Sequence, residues 1–449
     1  MIEDDIIFRY KYFYKELIIL ALPIIMQNLI SNIIVMLDTF MLGFVGQNEL
    51  AAISLANQLY FILSLFFLGL TFTIGILMAQ YLGKQDYTKA NQIFMISCQI
   101  AVIICLIFSI SAIVFAETIM SLFTNNDNLI ALGSDYLEIV GISYLFIAFS
   151  QVYLMVLKVR LQVPKSICIS LASLGINFVL NALFIFGLCN FPKWGIIGVA
   201  IATCIARLFE CICCYIDYKR NIVIKYLNNI AIPRILYKDY CKVGTPIMIQ
   251  GFVWGGAMTM MSAIIGHLGT DMVAANTIAS NVQNIATVIS FGLAQAGLIL
   301  LGKDLGNNQF VTVKEHSKCL LKVSIFFGIC CCVLMFMVEQ HIYSFLFLTT
   351  TAQYYLGIMY KLLAVNVIWA SITYTVLCGI FPSGGYTKYG LYIDGIVMWS
   401  LISIGSVLIF TVEINPLYIF LIFNLDELIK TPFVLKKYYQ YKWLNNITR

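Results

Sequence analysis

Long apolar runs separated by short polar turns are the dominant pattern of this chain. Twelve runs stand out, at about 17–44, 51–82, 93–115, 131–157, 166–188, 194–216, 243–266, 273–301, 320–338, 352–381, 389–411 and 416–435. About 20 apolar residues in a helix cross the hydrocarbon core of a bilayer. The pattern therefore predicts an all-α integral membrane protein with twelve transmembrane helices. Composition agrees, with 61% hydrophobic and only 11% charged residues and a mean hydropathy of +0.91, where soluble domains carry about 25% charge. The first run is too long for the apolar core of a signal peptide and lacks a small-residue cleavage site, so it is expected to stay in the protein.

The charges orient the spans. With the N-terminus inside, 24 of the 27 Lys and Arg fall on cytoplasmic segments or in the cytoplasmic ends of spans, and the outer loops hold only Lys193. The positive-inside rule then puts both termini in the cytoplasm of a multi-pass protein of the cell inner (plasma) membrane. The net charge of +5 follows from these loops and calls for no nucleic-acid partner.

The most polar long connection, Asp217 to Lys242, divides the spans six and six. Sliding the chain on itself by half its length, so that Pro23 falls on Pro246, aligns Pro23–Gly83 with Pro246–Gly306 without a gap, and 15 of 61 positions are identical. Gln27 then falls on Gln250, Gly43 on Gly266 and Gly83 on Gly306. The chain thus reads as two pseudo-symmetric six-helix lobes, 1–220 and 243–449, joined by a cytoplasmic linker at 221–242. Six spans per half make the repeats parallel, with a cavity between lobes that rock to give alternating access. There is no Walker A sequence for an ATP motor. Transport must draw on an ion gradient, with no cofactor, in a chain expected to act as a monomer among lipids.

Asp38, near the end of the first span, is the foremost chemical candidate. An aspartate at the centre of a span costs about 2.5–3.5 kcal/mol on insertion scales, so it serves as an ion or proton site or is hidden against a partner. Its repeat equivalent is Met261, which makes the halves unlike at this point. Asn177 and Asn181, four apart, share one face of the fifth span. With Asp38 they offer an oxygen cage for Na+, or a polar nest for a protonatable carboxylate. The competing reading is interhelical hydrogen bonding. Thr203 in the sixth span could complete the shell.

The remaining charges read as structural or as alternative coupling groups. Arg207 and Glu210 can neutralise each other at i, i+3, while Glu138 and Lys361 are repeat equivalents that could pair or line the outer mouth. Asp394, Asp426 and Glu427 are alternative coupling carboxylates, with Lys430 four residues after Asp426 as an ion-pair partner. Pro23 can hinge its span. Gln27 and Gln250 can cap carbonyls freed by the prolines or line the cavity. Trp254, Trp369 and Trp399 offer aromatic surface to flat cations. Most of the fourteen cysteines lie within spans and read as small hydrophobes. The clustered His and Asp of a membrane-embedded transferase are missing, so no catalytic residue is assigned and no enzyme is expected.

The run LALPIIMQNLISNIIVMLDTFMLGFVGQNELAAISLANQ, the YLGKQDYTKA turn, NFVLNALFIFG with PKWGIIGVAIATCIAR after it, KVGTPIMIQ and HLGTDMVAANTIAS resemble the multidrug and toxin extrusion (MATE) family over nearly the whole chain. The resemblance implies a bilobed antiporter that exports cationic or amphipathic small molecules in exchange for Na+ or H+. It also implies a cation site formed by Asp38, Asn177, Asn181 and Thr203. An alternative within the same superfamily is a flippase of lipid-linked oligosaccharides, which calls for basic residues in the central cavity. The chain departs from the family pattern in places. Asn181 stands where some relatives have aspartate, span seven lacks their glutamate, Ser371 stands for their span-ten aspartate, and Pro382 and Tyr386 replace Arg and Asp in the turn FPSGGYTK.

Overall fold

In a bilayer every backbone N–H and C=O must be bonded within the protein, so these apolar runs have little choice but to be helices. The computed structural model describes the backbone of residues 2–188, 192–220, 232–345, 349–411 and 415–448, and within these the side chains of all but residues 2–12, Val35, Asp38, Thr39, 340–345 and Phe410. The first half of the chain forms α1 (Ile2–Leu42), α2 (Gln47–Gly83), α3 (Tyr87–Val114), the short α4 (Ala116–Ser121), α5 (Asp127–Val159), α6 (Val163–Phe186) and α7 (Gly195–Arg220). The second half forms α8 (Arg234–Gly266), α9 (Thr270–Gly306), α10 (Phe310–Phe345) and α11 (Thr350–Tyr374). A π-helical stretch (Thr375–Ile380) follows, and then α12 (Phe381–Ser383), α13 (Lys388–Thr411), α14 (Pro416–Phe423) and α15 (Asp426–Tyr438).

Among the described residues, eleven helices are long and apolar enough to cross a membrane. The twelfth predicted span is broken into α14 and α15. α14 ends at Asn424, whose backbone N–H and side-chain amide both reach the Phe420 carbonyl, at 3.1 and 2.9 Å. Asp426 and Glu427 then open α15, where acidic side chains suit the positive end of a helix dipole.

The repeat extends to the backbone. α2 and α9 are both 37 residues long, and the offset that lays Pro23 on Pro246 superposes both their ends. The turns that follow match as well: Gln85 has φ 62 and Asn308 φ 60, each held by a bond back across the helix end, Asp86 N to Tyr81 O at 2.9 Å and Gln309 N to Asp304 O at 3.0 Å. The starts of α3 and α10, and of α5 and α11, keep the same spacing.

By packing, the chain forms two compact units, Met26–Cys241 and Met1–Ile25 with Lys242–Arg449. In the first, α5 is the central helix, packed on α2, α3 and α7, with α6 against α7; in the second, α11 packs on α9 and α10. The predicted lobe 1–220 keeps all of α1 with the first half, whereas the packing divides α1 at Ile25, two residues past Pro23. Phe13 stacks on His316 with ring centroids 4.1 Å apart, and Gly292 of α9 lies so close to Ile25 that a Cβ there would come within 2.5 Å of its Cγ1. Residues 221–231 of the predicted linker lie outside the described residues, and from Arg234 the chain is already α8.

The π-helical stretch precedes Pro382, which has no N–H to give the ordinary i−4 ladder and whose ring crowds that carbonyl. Within the stretch, Gly379 lies against the backbone of Ala294, with its missing Cβ 2.9 Å from the Ala294 carbonyl oxygen. Backbone cannot yield as a flexible side chain can. Gly379→Ala is expected to cost about 1–3 kcal/mol by overpacking, read as a lowered thermal midpoint of the purified protein. Gly395→Ala, whose Cβ would meet only Val253 Cγ1 at 3.8 Å, should change it far less.

Candidate ion-coupling site

In the unit Met26–Cys241, α6 and α7 bring three of the predicted residues together. Asn181 Nδ2 donates to Asn177 Oδ1 at 3.3 Å, Asn177 Nδ2 donates to Thr203 Oγ1 at 3.4 Å, and Thr203 Oγ1 donates to the Val199 carbonyl at 3.0 Å. The line runs in one direction along four polar groups. Two of its bonds are longer than the usual length of about 2.9–3.0 Å.

Asp38 lies in the last turns of α1, and its side chain is outside the described residues. The height of its backbone follows from the neighbouring rings. Phe44 meets Phe186 edge-on with centroids 5.6 Å apart, which sets the end of α1 beside the end of α6. Asp38 precedes Phe44 by six residues and Asn181 precedes Phe186 by five. At about 1.5 Å per residue the two positions share nearly the same depth.

Deeper along α7, Arg207 is held by Glu210 Oε2 at 3.3 Å, as the i, i+3 spacing predicts, and also by the Tyr60 hydroxyl at 3.3 Å. Gln151 Nε2 donates to the other oxygen of Glu210 at 3.1 Å. One cation thus faces one carboxylate, and both are braced by neutral side chains. Gln27 of α1 is buried, and its Oε1 has no hydrogen-bond partner among the described residues. Pro23 lies inside an unbroken α1.

The other unit holds a denser network. Lys430 is 2% exposed, and its Nζ meets Asp426 at 2.9 Å, Glu427 at 3.0 Å and Asp394 of α13 at 3.2 Å. Gln250 Nε2 donates to Asp394 Oδ2 at 2.7 Å, so this amide is committed to a carboxylate and not to a carbonyl freed by Pro246. The Thr373 hydroxyl bonds Glu427 Oε2. Sequence spacing points to the Asp426–Lys430 pair, while the convergence of Asp394, Thr373 and Gln250 from three other helices leaves no trace in spacing. Lys361 is bound to Glu339 at 3.5 Å. Trp254 packs on the apolar core of this unit. Trp399, 40% exposed, donates its indole N–H to the Val253 carbonyl at 3.2 Å.

Comparison with known proteins bears on both halves. The MatE family profile matches residues 23–183 and again 246–408. The chain is 28% identical over 339 residues to the probable multidrug resistance protein NorM of Pasteurella multocida, covering 71% of this chain and 70% of that one. It is 22% identical over 331 residues to the multidrug export protein MepA of Staphylococcus haemolyticus, covering 73% and 72%. Its fold is similar to a solved structure described as the outward-facing conformation of a multidrug resistance MATE family transporter of the MOP superfamily. There the TM-score is 0.87 at 16% identity, and 96% of each chain is covered. A MATE crystal structure in the bent conformation gives the same score, identity and coverage. With both repeats matched by one family profile, this multi-pass membrane protein belongs to the multidrug and toxin extrusion (MATE) family.

Proposed function

We propose that this protein is a secondary active antiporter of the inner membrane that exports cationic or amphipathic small molecules in exchange for Na+ or H+. Asp38 is its coupling carboxylate, and Asn177, Asn181 and Thr203 supply the neutral oxygens around the ion. The observation that carries this reading is the hydrogen-bonded line of Asn181, Asn177 and Thr203 at the depth of Asp38. The relatives named for multidrug resistance and export support the substrate class. The distribution of Lys and Arg supports cytoplasmic termini.

The mechanism follows from differential binding. An ion arriving from outside neutralises Asp38 and removes the cost of a carboxylate in an apolar setting. The neutral state then favours a different packing of α1 about Pro23, in which substrate is released outward. Substrate bound from the cytoplasm favours the opposite state and loss of the ion inward. Coupling is the difference in affinity of each ligand for the two states. A flippase for pyrophosphate-linked lipids finds less support, because Arg207, Lys361 and Lys430 are each engaged by carboxylates.

Dye efflux from proteoliposomes, driven separately by a Na+ gradient and a pH gradient, tests the reading. One gradient should drive efflux in the wild type, and Asp38→Asn should abolish the driven component. Efflux from the Asp38→Asn protein as fast as from the wild type would overturn the assignment. Asn181→Ala and Thr203→Ala should keep transport but raise the half-saturating ion concentration about ten- to a hundredfold, since a hydrogen-bond or oxygen contact to a charged group contributes about 1.5–3 kcal/mol.

A further inference from the structure

The repeat that relates Gln27 to Gln250 also relates, at the same offset, Arg207 to Lys430 and Thr203 to Asp426. The basic residue is kept in both halves, but its company is not. Arg207 has one carboxylate, Glu210, whereas Lys430 has three. Where the first half has Thr203, the second has a carboxylate; where the first has Asp38, the second has Met261.

The geometry around Lys430 is that of a filled cation site. An ammonium has three N–H donors and no acceptor. Each carboxylate group of Asp394, Asp426 and Glu427 stands 2.9–3.2 Å from Nζ, so three donors meet three acids. The acids come from two helices, α13 and α15, and all are more than nine-tenths buried. The outer oxygens of two of them are held in turn, Asp394 Oδ2 by Gln250 and Glu427 Oε2 by Thr373. Gly390, next to Gln250, has no side chain to block that approach; a Cβ there would come within 2.8 Å of Gln250 Nε2. Buried charge persists only when it is paired and hydrogen-bonded; here the chain supplies one positive charge, Lys430, which balances one of the three acids, while neutral donors from Gln250 and Thr373 brace Asp394 and Glu427.

We propose that Lys430 is a built-in counter-ion: on its tether it fills the position among Asp394, Asp426 and Glu427 that a mobile monovalent cation would otherwise take, and so keeps ion exchange out of this half of the chain. The claim rests on the proposed coupling site in the other half for where exchange does occur. It makes Lys430 a residue that fixes how many ions the protein can exchange. Its removal should create a cation site as well as break a pair. A lysine serving only to hold helices together would leave no such gain.

The test uses purified full-length protein in the Asp38→Asn background, which removes the proposed coupling carboxylate. Thermal midpoints are measured in NaCl against N-methylglucamine chloride at equal ionic strength, and over a pH series. The Asp38→Asn protein should show no Na+ dependence. Adding Lys430→Met should bring a new rise of several degrees with Na+ or, if the uncovered acids take up protons instead, with falling pH; adding Lys430→Arg should not. A folded Lys430→Met protein that gains neither response overturns the proposal. If that variant does not fold, binding of radioactive sodium to the Asp38→Asn protein with Lys430 intact decides: no bound sodium is expected, and sodium that binds and is lost on Asp426→Asn overturns it. A Na+ response that survives Asp38→Asn and is untouched by Asp426→Asn overturns the coupling role of Asp38 instead, so the two readings fail separately.

Discussion

A charged side chain in a hydrocarbon interior has to be answered by another group of the protein at the point where it stands, because no water is there to do so. That constraint shapes the polar parts of this molecule. Arg207 is answered by Glu210 and Tyr60, and Lys430 by Asp394, Asp426 and Glu427. Asp38 is the charge for which an exchangeable ion is the proposed answer. A static ion pair and a transport site are thus two solutions to one electrostatic problem. They differ in whether the counter-charge is tethered.

The repeat supplies the frame in which this difference arises. Helices α2 and α9, and the left-handed turns at Gln85 and Asn308 after them, reproduce one another at the repeat offset. A fold built twice begins with two equivalent sets of positions, and substitutions at a few of them make the halves unlike. Met261 opposite Asp38 and Asp426 opposite Thr203 are such substitutions. The break at Asn424 and the π-helical stretch before Pro382 set the backbone around the Lys430 network, since Thr373 stands just before the π region and Glu427 just after the break.

Much of this was legible in the sequence because the bilayer enforces it. Apolar length gave the spans, and the spacing of prolines, glutamines and glycines gave the repeat. Pairs within one helix were legible too, as with Arg207–Glu210 and Asp426–Lys430, since i, i+3 and i, i+4 put side chains on one face. Pairs between helices were not. Nothing local to Lys430 signals Asp394, nothing near Arg207 signals Tyr60, and nothing near Lys361 signals Glu339. The division of α1 at Ile25 escaped for the same reason, because Phe13 finds its partner in His316, in the other half of the sequence. Hydropathy also passed over the break at Asn424, because a run of apolar residues reads the same whether its helix is continuous or interrupted.

With one mobile cation proposed for one half and a tethered one for the other, the coupling stoichiometry is the most direct measure. In proteoliposomes held at zero membrane potential with a fixed dye gradient, the ion gradient at which dye flux reverses gives the number of cations exchanged per dye molecule. One cation per cycle is the predicted value. A reversal gradient that requires two would mean that both halves exchange an ion, and would contradict the account.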